Sequence, residues 1–553
     1  MKLGSYGLYV TFMTLETKDY LRFNIINDDG ECIKSIEGVH QIIPALPGDT
    51  VMECGTLIKR AEYPPIVGIL HLQSKVRYGM TSKGKPIYLF EPINKSYPLM
   101  IAGCGDKSQT TNVIAIVTFD SWNKGSKFPR ASLQKIIGPC GDLDSEREMI
   151  LHRYSPWPLP KKAEICSRYS EEVEKRPLIS GYTFNIDPPG CEDVDDVITM
   201  QKISDTVWEL TISITDVAIA IEEGTPLDLY AKKVGQTLYP DDKQPKHMLP
   251  PSISTQGLSL LKGCLRNVIS LSITWSSENG VESTKWICAK TSVDITYTYA
   301  EAQKEQREEF QAMKRIVNDI AKKTRVTSEE WVETLMVYYN TEAGKLLKLN
   351  GLGLLRHHTE PDMEKLATLG SIDPLLEKMA FSSANYVTPG TKGRHWGLDT
   401  EDYAHASSPL RRYADLYNQR CLLYILNACG MKPSQNPAGL SRQLNILQKN
   451  SKSFERDEFF ITTLAKTKSP VLAPVVVEIN EEKQFVKVWV KEWNRIIRIK
   501  THIIKTEEGL VAETKDGVQV KLYVKEKICL SYHVNYEKAC WKDKIIFGIH
   551  TYI

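Results

Sequence analysis

The sequence predicts a multidomain α+β protein in which small all-β barrels flank one larger mixed domain. Three observations carry that prediction. The chain has 553 residues, enough for three or four cores of ordinary size. Up to about residue 155, and again from about 470, it reads as short β-rich segments separated by turns. From Ala300 the apolar period becomes helical, so the middle is of a different class from the two ends.

Each element follows in order. "LPGDTVMEC" closes a first β unit, residues 1–58, while "PPIVGILHL", "PIYLFEP" and "VIAIVTFDSW" belong to a second, residues 59–155. Both have the size of OB barrels. The mixed domain spans 156–465. Within it, Trp208, Leu210, Ile212 and Ile214 alternate with Glu209, Thr211, Ser213 and Thr215, the pattern of a half-buried strand. The run "AEAQKEQREEFQAMKRIVNDIAKK" is helical, and a second helix opens on a Thr327 to Glu330 capping pattern. A third is delimited by Ser408 as N-cap, Pro409 as first helical residue and Gly430 beyond its end. Residues 466–553 return to strands and predict a terminal barrel. In "FVKVWVKEW", Phe485, Lys487, Trp489, Lys491 and Trp493 share one face and three valines the other. Aromatics interleaved with lysines suit a single-stranded nucleic-acid surface, with Lys487 and Trp489 at its centre; the same face could instead pack against a neighbouring segment.

Composition excludes several classes. Hydrophobic residues make up 42% and charged residues 25%, with no apolar run long enough to span a membrane. The first twenty residues make a poor secretory signal. Twelve cysteines without a CxxC pair indicate neither a zinc site nor a disulfide framework, so a reducing compartment is expected: the cytoplasm, with the nucleus as the alternative. A net charge of +2 means that any nucleic-acid surface must be local.

Residues 185–196 read "NIDPPGCEDVDD". Asp187, Asp193, Asp195 and Asp196 are separated by Pro–Pro–Gly, which cannot continue a strand or helix and so must loop, bringing the first carboxylate back to the other three. Clustered carboxylates repel unless a cation sits among them, and hard oxygen ligands suit magnesium or manganese, two of which could activate water against a phosphodiester. A solvated acidic turn remains the alternative; an EF-hand does not fit, because Pro189 and Cys191 stand where ligands are needed. The second constellation is "SSPLRRYAD", with Arg411 and Arg412 in the predicted first helical turn. Cations are disfavoured there by the helix dipole, which points to an anion held between them. The alternative pairs Arg411 with Asp415 and leaves Arg412 in solvent.

Together "DPPGCEDVDD" and "SSPLRRYAD" resemble the signature pair of the RNB family, the ribonuclease II and ribonuclease R type exoribonucleases. "SITDVAIAIEEGTPLDLYAKKVGQTLYPDDKQPKHMLPPSIS", "TYTYAEAQ", "VETLMVYYN", "GLLRHH" and "HWGL" follow in the family's order, over about residues 178–465. The resemblance is greatest to the eukaryotic exosome catalytic-subunit branch, and "DSWNKGSKFPRASLQKIIGPCGDLDSE" resembles that branch's second cold-shock barrel.

The resemblance implies an RNB catalytic domain with two cold-shock-like barrels before it and an OB-type RNA-binding barrel after it. It further implies magnesium-dependent, 3′-to-5′ hydrolysis of single-stranded RNA to 5′-nucleotides. The family's aspartates fall on Asp187, Asp193, Asp195 and Asp196, its catalytic arginine on Arg411, and its stacking aromatics on Tyr239 and Tyr299; Arg412 and Glu455 join the RNA contacts. Without that register both tyrosines would read as ordinary core or surface residues. His357, His358, His395 and His405 fit no zinc spacing and are expected to be structural or near phosphate.

The chain departs from the family at Ser213–Val217 and Gln419. Thr359, Glu360 and Pro361 stand where some members carry the aromatic that pairs with Tyr239. No PIN-type endonuclease domain precedes the first barrel, so stable exosome association is not expected; the protein is expected to be a monomer. The competing class is a catalytically silent, RNB-derived RNA-binding scaffold, and a third is a metal-dependent DNA nuclease.

Overall fold

The acidic loop joins two strands of a six-stranded sheet, whose order is Gly280–Ser292, Leu265–Ser276, Val207–Thr215, Asp196–Lys202, Tyr182–Asp187 and Ile295–Thr298. Neighbours run antiparallel except the last two, which are parallel. The computed structural model describes residues 13–550 apart from 28–29, 39–41, 43, 107–110, 124, 429–431, 434–435, 468–470, 508 and 514–516. The chain divides into two units, Trp157–Pro361 with Phe381–Ser451, and Met1–Pro156 with Asp362–Ala380 and Lys452–Ile553.

In the first of these, Glu308–Ala321, Ser328–Leu349 and Tyr413–Ile425 form helices whose apolar residues share one core with the sheet: Phe310, Ile316, Leu335, Tyr339 and Leu416 beside Phe184, Leu210 and Ile212. The opposite side is closed by Val197, Leu260, Val268 and Ala289. Strand Val207–Thr215 is therefore buried on both faces, which corrects the half-buried expectation. Its polar side chains are satisfied inside: Ser213 Oγ lies 2.8 Å from Ser270 Oγ, and Thr215 Oγ1 donates to the Leu258 carbonyl at 2.7 Å. Alternation identified the two faces but not that both are covered.

The helical run from Ala300 is interrupted, forming Tyr299–Lys304 and Glu308–Ala321. Helix Ser328–Leu349 starts with the expected capping box: the Glu330 amide donates to Thr327 Oγ1 at 3.3 Å and the Thr327 amide to Glu330 Oε2 at 2.9 Å. Thr327→Ala is expected to cost about 1 kcal/mol, read as a lower urea midpoint. Gly344 lets this helix approach residues 402–404, since a Cβ there would sit 1.8 Å from the Asp402 carbonyl oxygen.

In the other unit, strands Ile66–Leu70, Ile87–Pro92, Met100–Gly103, Val113–Ser121 and Arg130–Pro139 form a closed barrel around Leu70, Phe90, Met100 and Ala115. Ahead of it lies a five-stranded sheet over Met13–Lys59. The C-terminal strands form three three-stranded sheets among the described residues.

There the proposed RNA face of "FVKVWVKEW" is corrected. Trp489 is 1% exposed, packs with Leu369, Leu376 and Ala380, and donates its indole N–H to Asp373 Oδ2 at 3.3 Å. Phe485 and Trp493 are buried as well, and Trp493 has left the strand for a short 3-10 turn. Lys487 alone of the pair proposed as RNA contacts reaches solvent, and it is bonded to Glu478 at 2.6 Å. Among the described residues no helix is long and apolar enough to cross a membrane.

Candidate active site

Strand Tyr182–Asp187 ends at the first aspartate of the loop. The Cys191 amide donates to the Pro188 carbonyl at 3.2 Å around Pro189 and Gly190, and Gly190 has φ +78°. This is a type II turn, with proline and glycine where its dihedrals require them. The returning segment is anchored by the Val194 amide on Ser259 Oγ (2.9 Å) and by the Thr215 amide on the Asp195 carbonyl (2.9 Å). Asp187 also pairs in register with Thr298, the N-cap of helix Tyr299–Lys304. Tyr299 is thereby set beside the acidic cluster by backbone pairing.

Asp195 is 4% exposed and both its oxygens are engaged: Oδ1 accepts the Leu410 amide at 2.9 Å, and Oδ2 accepts Arg411 Nε at 3.0 Å. Arg411 is further held on Ser408 Oγ at 2.8 Å. The expected third helix is corrected here. It begins at Tyr413, with Arg412 as N-cap, and its C-terminal marker Gly430 lies outside the described residues. Ser408 to Arg412 instead form a turn that directs the Leu410 amide at Asp195. The pairing is also the reverse of the structural alternative: Arg412 bonds Asp415 at 2.7 Å, while Arg411 serves Asp195.

Asp193 Oδ2 accepts the Tyr239 hydroxyl at 2.6 Å, and Asp187 Oδ2 accepts Asn185 Nδ2 at 2.7 Å. Tyr239 remains 46% exposed, so its ring is open while its hydroxyl is engaged. The four aspartates, Tyr239, Tyr299 and Arg411 line one cavity of about 640 Å3, together with Glu333, Arg356, His395, Tyr403, His405 and Arg412. Glu455 is not among them. It belongs to the other unit, where it is exposed beside Arg456 and Phe459.

Sequence reasoning missed Glu333 and Arg356 as cavity residues. Arg356 carried a readable signal, a cation directly after Leu354 and Leu355 in an apolar run. It is buried, bonded to Gln448 Oε1 at 2.8 Å and set over the Tyr386 ring at 4.4 Å. The two departures from the family pattern prove to be partners: Gln419 Nε2 donates to the Thr215 carbonyl at 2.8 Å, and the Val217 amide returns to Gln419 Oε1 at 3.1 Å.

Electrostatics divides the cavity. Burial raises the Asp187 carboxyl and lifts Asp195 to about 7 despite Arg411; burial and then the charges of Asp187 and Asp195 hold Asp196 well above the ordinary range. In the same cavity burial pulls His395 down to about 4, and burial followed by Arg412 and Arg356 keeps His405 neutral. The histidines are therefore uncharged lining rather than counter-ions for the aspartates.

Among the described residues no three acids converge as a ready metal-ligand group. The donor set nonetheless fits a hard divalent ion: several carboxylates in one cavity, with protonation favoured by burial and mutual repulsion. Ionised carboxylates are needed to hold such an ion, so protons compete with it. Manganese is expected to bind about tenfold more weakly at pH 6 than at pH 8, by calorimetry, because Asp195 passes through its value of about 7 in that interval.

The family model for the RNB domain matches residues 175–306 and 288–428, and that for the Dis3-like cold-shock domain 2 matches 87–155. The exosome complex exonuclease RRP44 homolog A of Arabidopsis thaliana is 26% identical over 402 residues, covering 56% of this chain and 42% of that protein. RNase R of Mycoplasma genitalium, solved in complex with ribose-methylated single-stranded RNA, is similar with a TM-score of 0.68 at 16% identity, covering 98% of this chain and 100% of that one. Yeast Ssd1, a pseudonuclease, follows at 0.61 and 15% identity, covering 89% of this chain and 78% of that one. The chain spans about half the length of the curated relatives it matches, 42%, 47% and 51% for three of them.

Proposed function

The chain belongs to the RNB family, and from that premise we propose that it is a magnesium-dependent 3′-to-5′ exoribonuclease acting on single-stranded RNA and releasing 5′-nucleotides. The observation that carries the reading is the Asp195–Arg411 pair. It brings a guanidinium from a distant turn into the acidic cavity, where Asp187, Asp193 and Asp196 also lie.

The residues divide the work. Tyr239 offers an exposed ring, and Tyr299 a partly buried one beside Asp187; stacking on rings holds any base, so the chain can be followed without regard to sequence. Arg411, oriented by Asp195 and Ser408, stabilises charge on the scissile phosphate. Its guanidinium stays charged, since burial works against it and Asp195 more than offsets that. Magnesium, or manganese in its place, held by Asp187, Asp193, Asp195 and Asp196 as two ions, would supply a nucleophile from water and neutralise the leaving oxygen. The likeness to yeast Ssd1, a pseudonuclease, favours one second reading, an RNA-holding scaffold without hydrolysis.

The deciding experiment incubates the purified protein with 5′-labelled single-stranded RNA and its DNA counterpart, with magnesium or with chelator. A magnesium-dependent ladder shortening from the 3′ end on RNA alone is expected. Intact RNA with a clear gel shift would favour the scaffold, and equal cleavage of DNA would remove the ribonuclease assignment.

A further inference from the structure

We propose that Phe381, His358 and Trp396 form a stacking platform for the bases of single-stranded RNA, adjoining the acidic cavity. The inference rests on the RNA reading above and adds a contact surface outside the residues that line the acidic cavity.

The residues that follow His358, Thr359 to Pro361, supply no aromatic ring, but the fold brings one in from a later segment. Thr359 Oγ1 lies 2.6 Å from Ser382 Oγ, and His358 Nε2 lies 2.9 Å from the Ser382 carbonyl, which sets Phe381 alongside. From the other direction, the Trp396 amide donates to the His358 carbonyl at 2.9 Å and the His358 amide to the Arg394 carbonyl at 3.0 Å. Three stretches of chain thus deliver three rings to one place. Ring centroids are 6.3 Å apart for His358–Phe381, 6.3 Å for His358–Trp396 and 5.9 Å for Phe381–Trp396.

The cluster is open to solvent where a core would be closed. Phe381 is 37% exposed, while His358 and Trp396 are partly exposed. A single exposed ring needs no explanation, but contiguous exposed rings mark an interaction surface. What occupies it follows from its continuation inward. The His358 ring is 5.3 Å from His395, His395 is 5.2 Å from Tyr403, and Tyr403 is 5.8 Å from His405. The last three line the cavity that holds the aspartates, so the file of rings runs from the surface to the acidic site. Arg394, whose carbonyl accepts the His358 amide, stands exposed and paired with Asp399, and Lys392 is exposed two residues before it in the chain; the two supply cations for a phosphate backbone. Rings for bases, cations for phosphates and continuity with the cavity together specify single-stranded RNA.

The test measures binding of a fluorescein-labelled twelve-nucleotide oligouridylate by anisotropy, with chelator present so that the RNA stays intact. Phe381→Ala and Trp396→Ala are each expected to weaken binding about tenfold, the loss of one base stack. Phe381→Tyr should restore it, and Leu349→Ala, at an 84% exposed site of the same unit, should leave it unchanged. A merely structural role for the rings would not predict direct contact, so 5-bromouridine RNA should photo-crosslink to the peptides carrying Phe381 or Trp396. Wild-type-like affinity of Phe381→Ala, or crosslinks confined to other peptides, overturns the platform and leaves the exoribonuclease reading intact. Failure of the wild-type protein to bind or cleave RNA overturns that reading and the platform with it.

Discussion

Asp195→Asn is expected to lower RNA hydrolysis by about 10³ while leaving RNA affinity within a few fold. The geometry explains why so conservative a change should cost so much. An asparagine oxygen can still accept the Leu410 amide, but its NH2 then faces Arg411 Nε, donor against donor, where the carboxylate accepts at 3.0 Å. The guanidinium loses both its direction and its counter-charge, and the negative charge offered to a divalent ion falls as well. RNA affinity is spared because Tyr239 and Tyr299 are set by Asp193 and by strand pairing, not by Asp195. Undiminished turnover at saturating magnesium would remove Asp195 from the site.

The same geometry predicts how Asp195 and Arg411 combine. Arg411→Ala should cost a similar factor, and the double variant should be little worse than the poorer single one, because either change dismantles the same pair. Multiplicative losses in single-turnover rates would mean that the two act separately, Asp195 as an ion ligand and Arg411 on the phosphate.

What was legible in the sequence was local. The acidic loop declared itself because its turn-forming Pro–Pro–Gly and its four aspartates lie within ten positions, and the capping box of Ser328–Leu349 because its partners are three residues apart. Long-range pairings were not legible: Arg411 meets Asp195 across 216 residues and Gln419 meets Thr215 across 204. Periodicity misled at Trp489 and at Thr211 to Thr215 for one reason. It tells which side chains share a face and is silent on whether another segment covers that face, as Leu369 and Leu376 cover Trp489. Pro409 misplaced the helix start because its preference for a first helical position competes with a turn that Asp195 stabilises through the Leu410 amide.

Asp196→Asn should separate the stability of the site from its activity, raising the melting temperature of the metal-free protein by about 2–4 °C while abolishing hydrolysis. Burial, then the charges of Asp187 and Asp195, holds the Asp196 carboxyl above its ordinary value, so between that value and its folded one the folded chain carries a proton the unfolded chain has released. Stability of the metal-free protein therefore falls as pH rises through that window. The advantage of the variant is expected to be largest at pH 8 and to vanish near pH 4, where both forms are neutral. Magnesium should act in the opposite sense: by neutralising the cluster it raises the wild-type melting temperature at pH 8, and Asp196→Asn loses most of that rise. Thermal scans at pH 8 and pH 5, with chelator and with magnesium, check each sign. A variant less stable than wild type in chelator at pH 8 would mean that Asp196 is held by favourable contacts, and that the cluster is not strained by its own charge.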